Sequence, residues 1–319
     1  MEWAVELVAQ IETLPWKYTA YTPLPGKITP DALADLTLPA SQGLEIIAGS
    51  SLTTTFHANG NSQHGSPAWL SNGFSWRADV FYTKLYFEGY VAKNGDSDTV
   101  HQATHQMLSL YGMALAINLL SYHAWSPRLE PEILYGMGIF RIDSTRERHI
   151  TNVPFDHAQR NKLQDFWHLT PYRRSSSMEI HSKLSSLADS LSRADARLTN
   201  ACRWYFDSHC GTSDQARFVQ VCTALEVLLG DESQQKETGL ATLMANRCAY
   251  LLGNSESARR NIIDGFKNGY HIRSRIVHAG KNRLSTREKG ILQYMQDLCA
   301  AIIRVECEEL TSQINHPPK

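Results

Sequence analysis

Three helix-length runs in the second half of this 319-residue chain close on a glycine, at Gly230, Gly253 and Gly280, and a fourth amphipathic run extends from Arg287 to about Leu310. Apolar residues recurring at steps of three and four give each run one buried face, and a glycine beyond the last turn lets the chain reverse. That half is therefore constrained to packed helices. The run before Gly280 carries the most information. Ile263, Phe266, Tyr270, Arg273, Val277 and Gly280 share its apolar face, which puts Arg273 on a seam. An unpaired buried guanidinium is costly, so an acidic partner, a phosphate or a subunit interface is expected beside it. Glu226, on or next to the face formed by Val219, Cys222, Leu225 and Leu229, is a carboxylate placed to hold Arg273. The same contact reads equally well as a purely structural salt bridge.

His278 follows Arg273 by five residues. Imidazole exchanges its proton near neutrality, so it can take a proton from an attacking hydroxyl or return one to a leaving oxygen. Guanidinium stays charged and grips phosphate with a planar fork. The spacing itself is weak, because arginine followed by histidine after four to six residues is expected by chance roughly 2 to 3 times in such a composition. Arg174 with His181 and Arg203 with His209 are two further matches. Five helical residues also rotate His278 about 140° from Arg273. Either the helix loosens before Gly280, or two subunits complete one site. A seam arginine paired with glutamate, plus a histidine at the negative end of a helix, accounts for both residues without chemistry.

From Leu184 to Leu310 the chain resembles the HEPN superfamily, in particular its Apea-like branch. Four landmarks carry the resemblance in order. They are Asp214 to Gly230 with Arg217 and the Ala-Leu-Glu226 core; Met244 to Gly253 with Arg247; Phe266 to His278 with Tyr270, Arg273-Ser274 and Ile-Val-His278; and the final helix from Arg287. The resemblance implies an all-helical bundle that dimerises, so that two Arg/His motifs face one composite cleft. It implies a metal-independent endoribonuclease needing no cofactor, with RNA as substrate, Arg273 as transition-state stabiliser and His278 as general acid/base. It also implies a toxin or anti-phage effector, or alternatively a non-catalytic HEPN assembly or nucleic-acid-binding regulator. The chain departs from the branch in carrying Ser274 where active members often have Asn, Asp or His, and Ala279 between the histidine and Gly280. Lys267 and Arg275 lie on other faces of the run, as RNA contacts or as solvated charge.

The remainder sets bounds. Residues 1–140 hold 6 basic and 12 acidic residues, 141–175 hold 7 and 4, and 176–319 hold 18 and 16, so any RNA contact is expected in the second half. Six cysteines without a CxxC pair read as buried thiols of a reducing compartment. The acidic start and the short apolar stretch Met107 to Leu120 predict a cytoplasmic protein with no membrane partner. The first half reads as α+β: strands over Leu52–Phe56, Val80–Phe87 and Ile133–Ile142, a helix over Val100–Tyr122, and a loop over Asn59–Pro67. Pro171 to Ser177 is the expected hinge, dividing a mixed module at 1–175, which would receive a protein or phage-derived trigger, from the helical domain at 176–319. His101 and His105 have the i, i+4 spacing of a metal pair, with His123 as a third donor. Polar helix-face histidines are the better account, and no metal is expected.

Overall fold

The computed structural model describes residues 14–24, 37–41, 43–52, 80–92, 94–122, 136–143, 146–164, 166–168, 177–230 and 239–315. It is a mixed α+β protein with its strands in the first half and its longest helices in the second. Two compact units interleave along the chain. The first takes Met1–Met107, His123–His168 and Ser176–Met178, and the second takes Leu108–Tyr122, Leu169–Ser175 and Glu179–Lys319.

In the first unit the strands β1 (Trp16–Pro23), β2 (Thr37–Ser41), β3 (Leu44–Ala48), β4 (Phe81–Gly89), β6 (Gly136–Asp143) and β7 (Arg146–Pro154) form one sheet in the order β2-β3-β4-β1-β6-β7. Every described pairing in it is antiparallel. The pleat sends Ala20 and Leu85 to one face and Tyr21, Lys84 and Glu45 to the other, since directly opposed residues share a face. On that second face Tyr21, Ile47, Leu52, Val80, Tyr82 and Phe140 build a buried cluster. The expected strands at 80–87 and 133–142 correspond to β4 and β6, with 133–135 outside the described residues. The strand expected at Leu52–Phe56 is corrected in its described part: residues 49–52 form a helical turn, and 53–56 lie outside the described residues. The loop expected at Asn59–Pro67 lies outside them too.

Helix α1 (Asp98–Ala116) is shorter than the run expected over Val100–Tyr122. It stops because Asn118 takes a left-handed φ of 57°, after which Leu120–Tyr122 is the strand β5. Asparagine tolerates that conformation, and the uninterrupted apolar pattern concealed it. Two short elements, α2 (His157–Gln164) and β8 (Phe166–His168), follow β7. Among the described residues no helix is long and apolar enough to cross a membrane.

The second unit holds α3 (Ser177–Arg193), α4 (Ala196–Cys210), α5 (Asp214–Leu229), α6 (Leu240–Leu252), α7 (Glu256–His278) and α8 (Thr286–Asn315). Side-chain caps start three of them: Asp195 accepts from the Leu198 N–H at 2.7 Å, Ser213 from Ala216 at 3.2 Å and Ser255 from Ala258 at 3.2 Å. Gly211, Gly230 and Gly253 end α4, α5 and α6, each donating its N–H back to the helix it closes. Long α8 packs against α4, α5, α6 and α7, and its buried Met295, Cys299, Ile302 and Ile303 lie at the centre of the core. The second half of α1 belongs to this unit and approaches α4 at backbone distance. A Cβ on Gly112 would lie 1.9 Å from the Cys202 carbonyl oxygen. All six cysteines are free, and all are buried.

Candidate functional site

Helix α7 positions the candidate residues. Its buried side is narrower than the sequence implied: Phe266, Gly269 and Ile272 are buried, whereas Val277 is 47% exposed and Gly280 is exposed. The expected seam through Val277 and Gly280 is corrected accordingly. The cause is local packing against α8. Met295 of α8 sits where a Cβ on Gly269 would fall, 2.4 Å from its Sδ, so the glycine rather than a large side chain marks the line of closest contact. Arg273 therefore sits beside the seam, its side chain 23% exposed.

Arg273 reaches α5. One terminal nitrogen, Nη2, lies 3.3 Å from Oε1 of Glu226, and the same carboxylate oxygen accepts the Tyr270 hydroxyl at 2.5 Å. The guanidinium carbon also stands 5.7 Å from the centre of the Tyr270 ring. Burial, then the hydrogen bond to Glu226 and its charge, push the Tyr270 hydroxyl well above its ordinary pKa, so it remains a donor throughout the neutral range. Burial likewise raises the Cys222 thiol, with the charge of Glu226 adding to it, and that keeps Cys222 a neutral core residue. The buried Nε of Arg273 has no hydrogen-bond partner. A half-buried guanidinium held through one nitrogen keeps donor capacity for another ligand.

His278 is the last residue of α7, and its surroundings are solvent-facing. The helix does not loosen before it. The Ala279 and Lys281 N–H groups both return to the Arg275 carbonyl at 3.1 and 3.2 Å, and the chain turns at Gly280 with a φ of 61°. The separation of about 140° between Arg273 and His278 therefore persists, and one chain directs them away from each other. Ser274 is half-buried, and Lys267 and Arg275 are exposed. Arg275 turns toward Glu288 at 3.5 Å, as does Lys281 at 3.1 Å.

Glu288 was not singled out from the sequence. It forms a capping box with Ser285: the Ser285 N–H donates to its carboxylate at 2.8 Å, and its own N–H donates to the Ser285 hydroxyl. Those backbone and hydroxyl donors, together with Lys281, hold its pKa down to about 2. The Ser-x-x-Glu spacing at 285–288 was the available signal. A second missed feature is local charge. Between Arg259 and Lys289, Lys and Arg outnumber Asp and Glu nine to two, in a chain of net charge -1. Summed over 176–319, where basic and acidic residues number 18 and 16, that local excess is averaged away.

Of the two other Arg/His spacings, the one at Arg203 and His209 has a local explanation. Arg203 pairs with Asp207 one turn along α4, and His209 packs edge-on to Tyr205 at 4.9 Å. Arg174 lies outside the described residues. His101 meets Asp96 at 3.2 Å, His123 lies outside the described residues, and among the described residues no three His, Cys, Asp or Glu groups converge as a metal site. No protein-family model, curated protein or solved structure matches the chain.

Proposed function

We propose that the chain is a metal-independent endoribonuclease of HEPN type, acting as a toxin or anti-phage effector through a site shared by two copies. The observation that carries this reading is the divergence of Arg273 and His278 on a helix that stays regular to its last residue. Arg273 is pre-positioned by Glu226 and Tyr270, while His278 stands free at the helix end among exposed cations. Two such helices brought together around a two-fold axis supply an arginine from one copy and a histidine from the other.

The chemistry is an internal transfer. The RNA 2′-oxygen forms a bond to phosphorus, the bond from phosphorus to the 5′-oxygen breaks, and the products are a 2′,3′-cyclic phosphate and a 5′-hydroxyl. The 2′-hydroxyl proton goes to a base and a proton reaches the leaving 5′-oxygen; His278 serves one of these transfers. Arg273 neutralises charge that grows on the non-bridging oxygens.

The second reading, a non-catalytic HEPN assembly or nucleic-acid-binding regulator, is favoured by the Glu226 contact, which is the geometry a structural strut would have. Mixing inactive variants separates the two. Arg273→Ala and His278→Ala are each expected to lose cleavage of RNA in EDTA. Equal mixtures should recover about one quarter of wild-type activity, because half the dimers are mixed and each mixed dimer rebuilds one of two sites. Wild-type protein that leaves RNA intact in EDTA, in cells where its expression is equally harmless with and without His278, excludes the enzyme.

A further inference from the structure

The solvent side of α7 carries a line of positive or protonatable groups that ends at His278, and of these the proposed chemistry uses His278 alone. Arg260, Lys267, His271 and His278 follow at steps of seven, four and seven, so on a regular helix they fall within roughly 20° of one line along its surface. All four are exposed. Arg275 flanks the line, and two acids border it, Asp264 along its length and Glu256 at its start. From Arg260 to His278 the line measures about 27 Å, the length of about eight stacked nucleotides at roughly 3.4 Å each. Exposed charges spread along a helix lose free energy by mutual repulsion, and they gain most from a partner that is itself a line of anions.

We propose that this face of α7 is a track for the backbone of single-stranded RNA, delivering the strand to His278. The track rests on the ribonuclease reading for the identity of its substrate. The four groups stand about 6 to 10.5 Å apart along the axis, so they meet phosphates about two to three nucleotides apart, and the absence of exposed Phe, Tyr or Trp on this face fits binding through the backbone rather than by stacking of bases. Arg260 is available to a phosphate despite its bond to Glu256, because that i, i+4 pair is exposed at 73% and 88% and holds weakly.

Binding is measured apart from cleavage with a 2′-O-methyl RNA of about 12 nucleotides, which keeps every phosphate and has no hydroxyl to attack. Fluorescence anisotropy of the full chain across a salt series gives the slope of log K against log salt. The double variant Arg260→Gln/Lys267→Gln should bind more weakly, with a slope shallower by about 1.4, or about 0.7 per lost phosphate contact. The control Lys17→Gln/Arg193→Gln removes the same charge from exposed positions elsewhere and should leave the slope unchanged. Equal slopes in both variants overturn the track, as does absence of binding at about 50 mM salt. An acidic peptide of equal charge that binds as tightly overturns it in favour of a protein partner. Cleavage of unmodified RNA with an unchanged slope removes the track and leaves the ribonuclease. A reduced slope with uncleaved RNA keeps the track and removes the ribonuclease.

Discussion

Removing the charge of Glu226 tests whether Arg273 is held or merely nearby. At the observed 3.3 Å, two unit charges attract by about 1.3 kcal/mol in bulk water and about 5 kcal/mol at an effective dielectric near 20. Both side chains are about a quarter exposed, at 23% and 24%, so the pair falls between exposed pairs worth about 0.2–1 kcal/mol and buried pairs whose disruption costs about 3–5. Desolvation and the ordering of two side chains oppose the attraction. A coupling of about 1–2 kcal/mol is expected from the cycle of Glu226→Gln, Arg273→Gln and the double variant. Glutamine keeps the shape and can still accept from Tyr270, so the cycle reads charge rather than volume. Urea unfolding at neutral pH supplies the three differences. A coupling below about 0.3 kcal/mol, the scatter of independent sites, refutes the claim that Glu226 positions Arg273. RNA cleavage adds a second axis. Arg273→Lys keeps the charge and loses the fork, so on the enzymatic reading it cuts activity far more than it lowers stability.

Gly112→Ala should be severe, because its Cβ would meet the Cys202 carbonyl at 1.9 Å and backbone cannot swing aside. Separating α1 from α4 by more than about 1 Å is expected to cost about 3 kcal/mol and lower the midpoint of thermal unfolding by about 6–12 °C; a loss under about 2 °C rejects the close approach. Glu288→Gln should weaken the start of α8 at neutral pH. The folded carboxylate titrates at about 2, below its unfolded value near 4.3, so its stabilisation is present above about pH 4 and lost as pH falls toward 2. Urea midpoints of variant and wild type should therefore converge at the acid end, and a constant gap at every pH refutes the assignment.

The helical half was legible because its signals are local. Asp195, Ser213 and Ser255 cap helices through neighbours three residues on, and the glycine stops at Gly230 and Gly253 act within one turn. The Glu226 contact was accessible for a different reason: a charged residue in an apolar stripe demands a partner. What the sequence hid was long-range. Nothing in α7 alone distinguishes Gly269 as the point where Met295 enters, so Val277 was placed on the seam when the seam runs through Ile272. The end of α1 at Asn118 was hidden because a single left-handed residue leaves apolar periodicity intact. Sheet order was also unreadable, since β1 sits between β4 and β6, over a hundred residues apart from its partner Phe140.

The divergence of Arg273 and His278 makes the two readings differ in concentration dependence. Rotation about side-chain bonds does not undo an angle fixed by the backbone, and the hydrogen bonds from Ala279 and Lys281 keep that backbone helical to the end. On the enzymatic reading a lone chain therefore lacks a complete site, and below the dimer dissociation constant the rate rises with the square of protein concentration. On the strut reading Arg273 serves α5 and α7 of its own chain, and its contribution to stability is independent of concentration. Arginine and histidine placed on one face would have satisfied either reading equally. On the enzymatic reading, it is their opposition that ties catalysis to association.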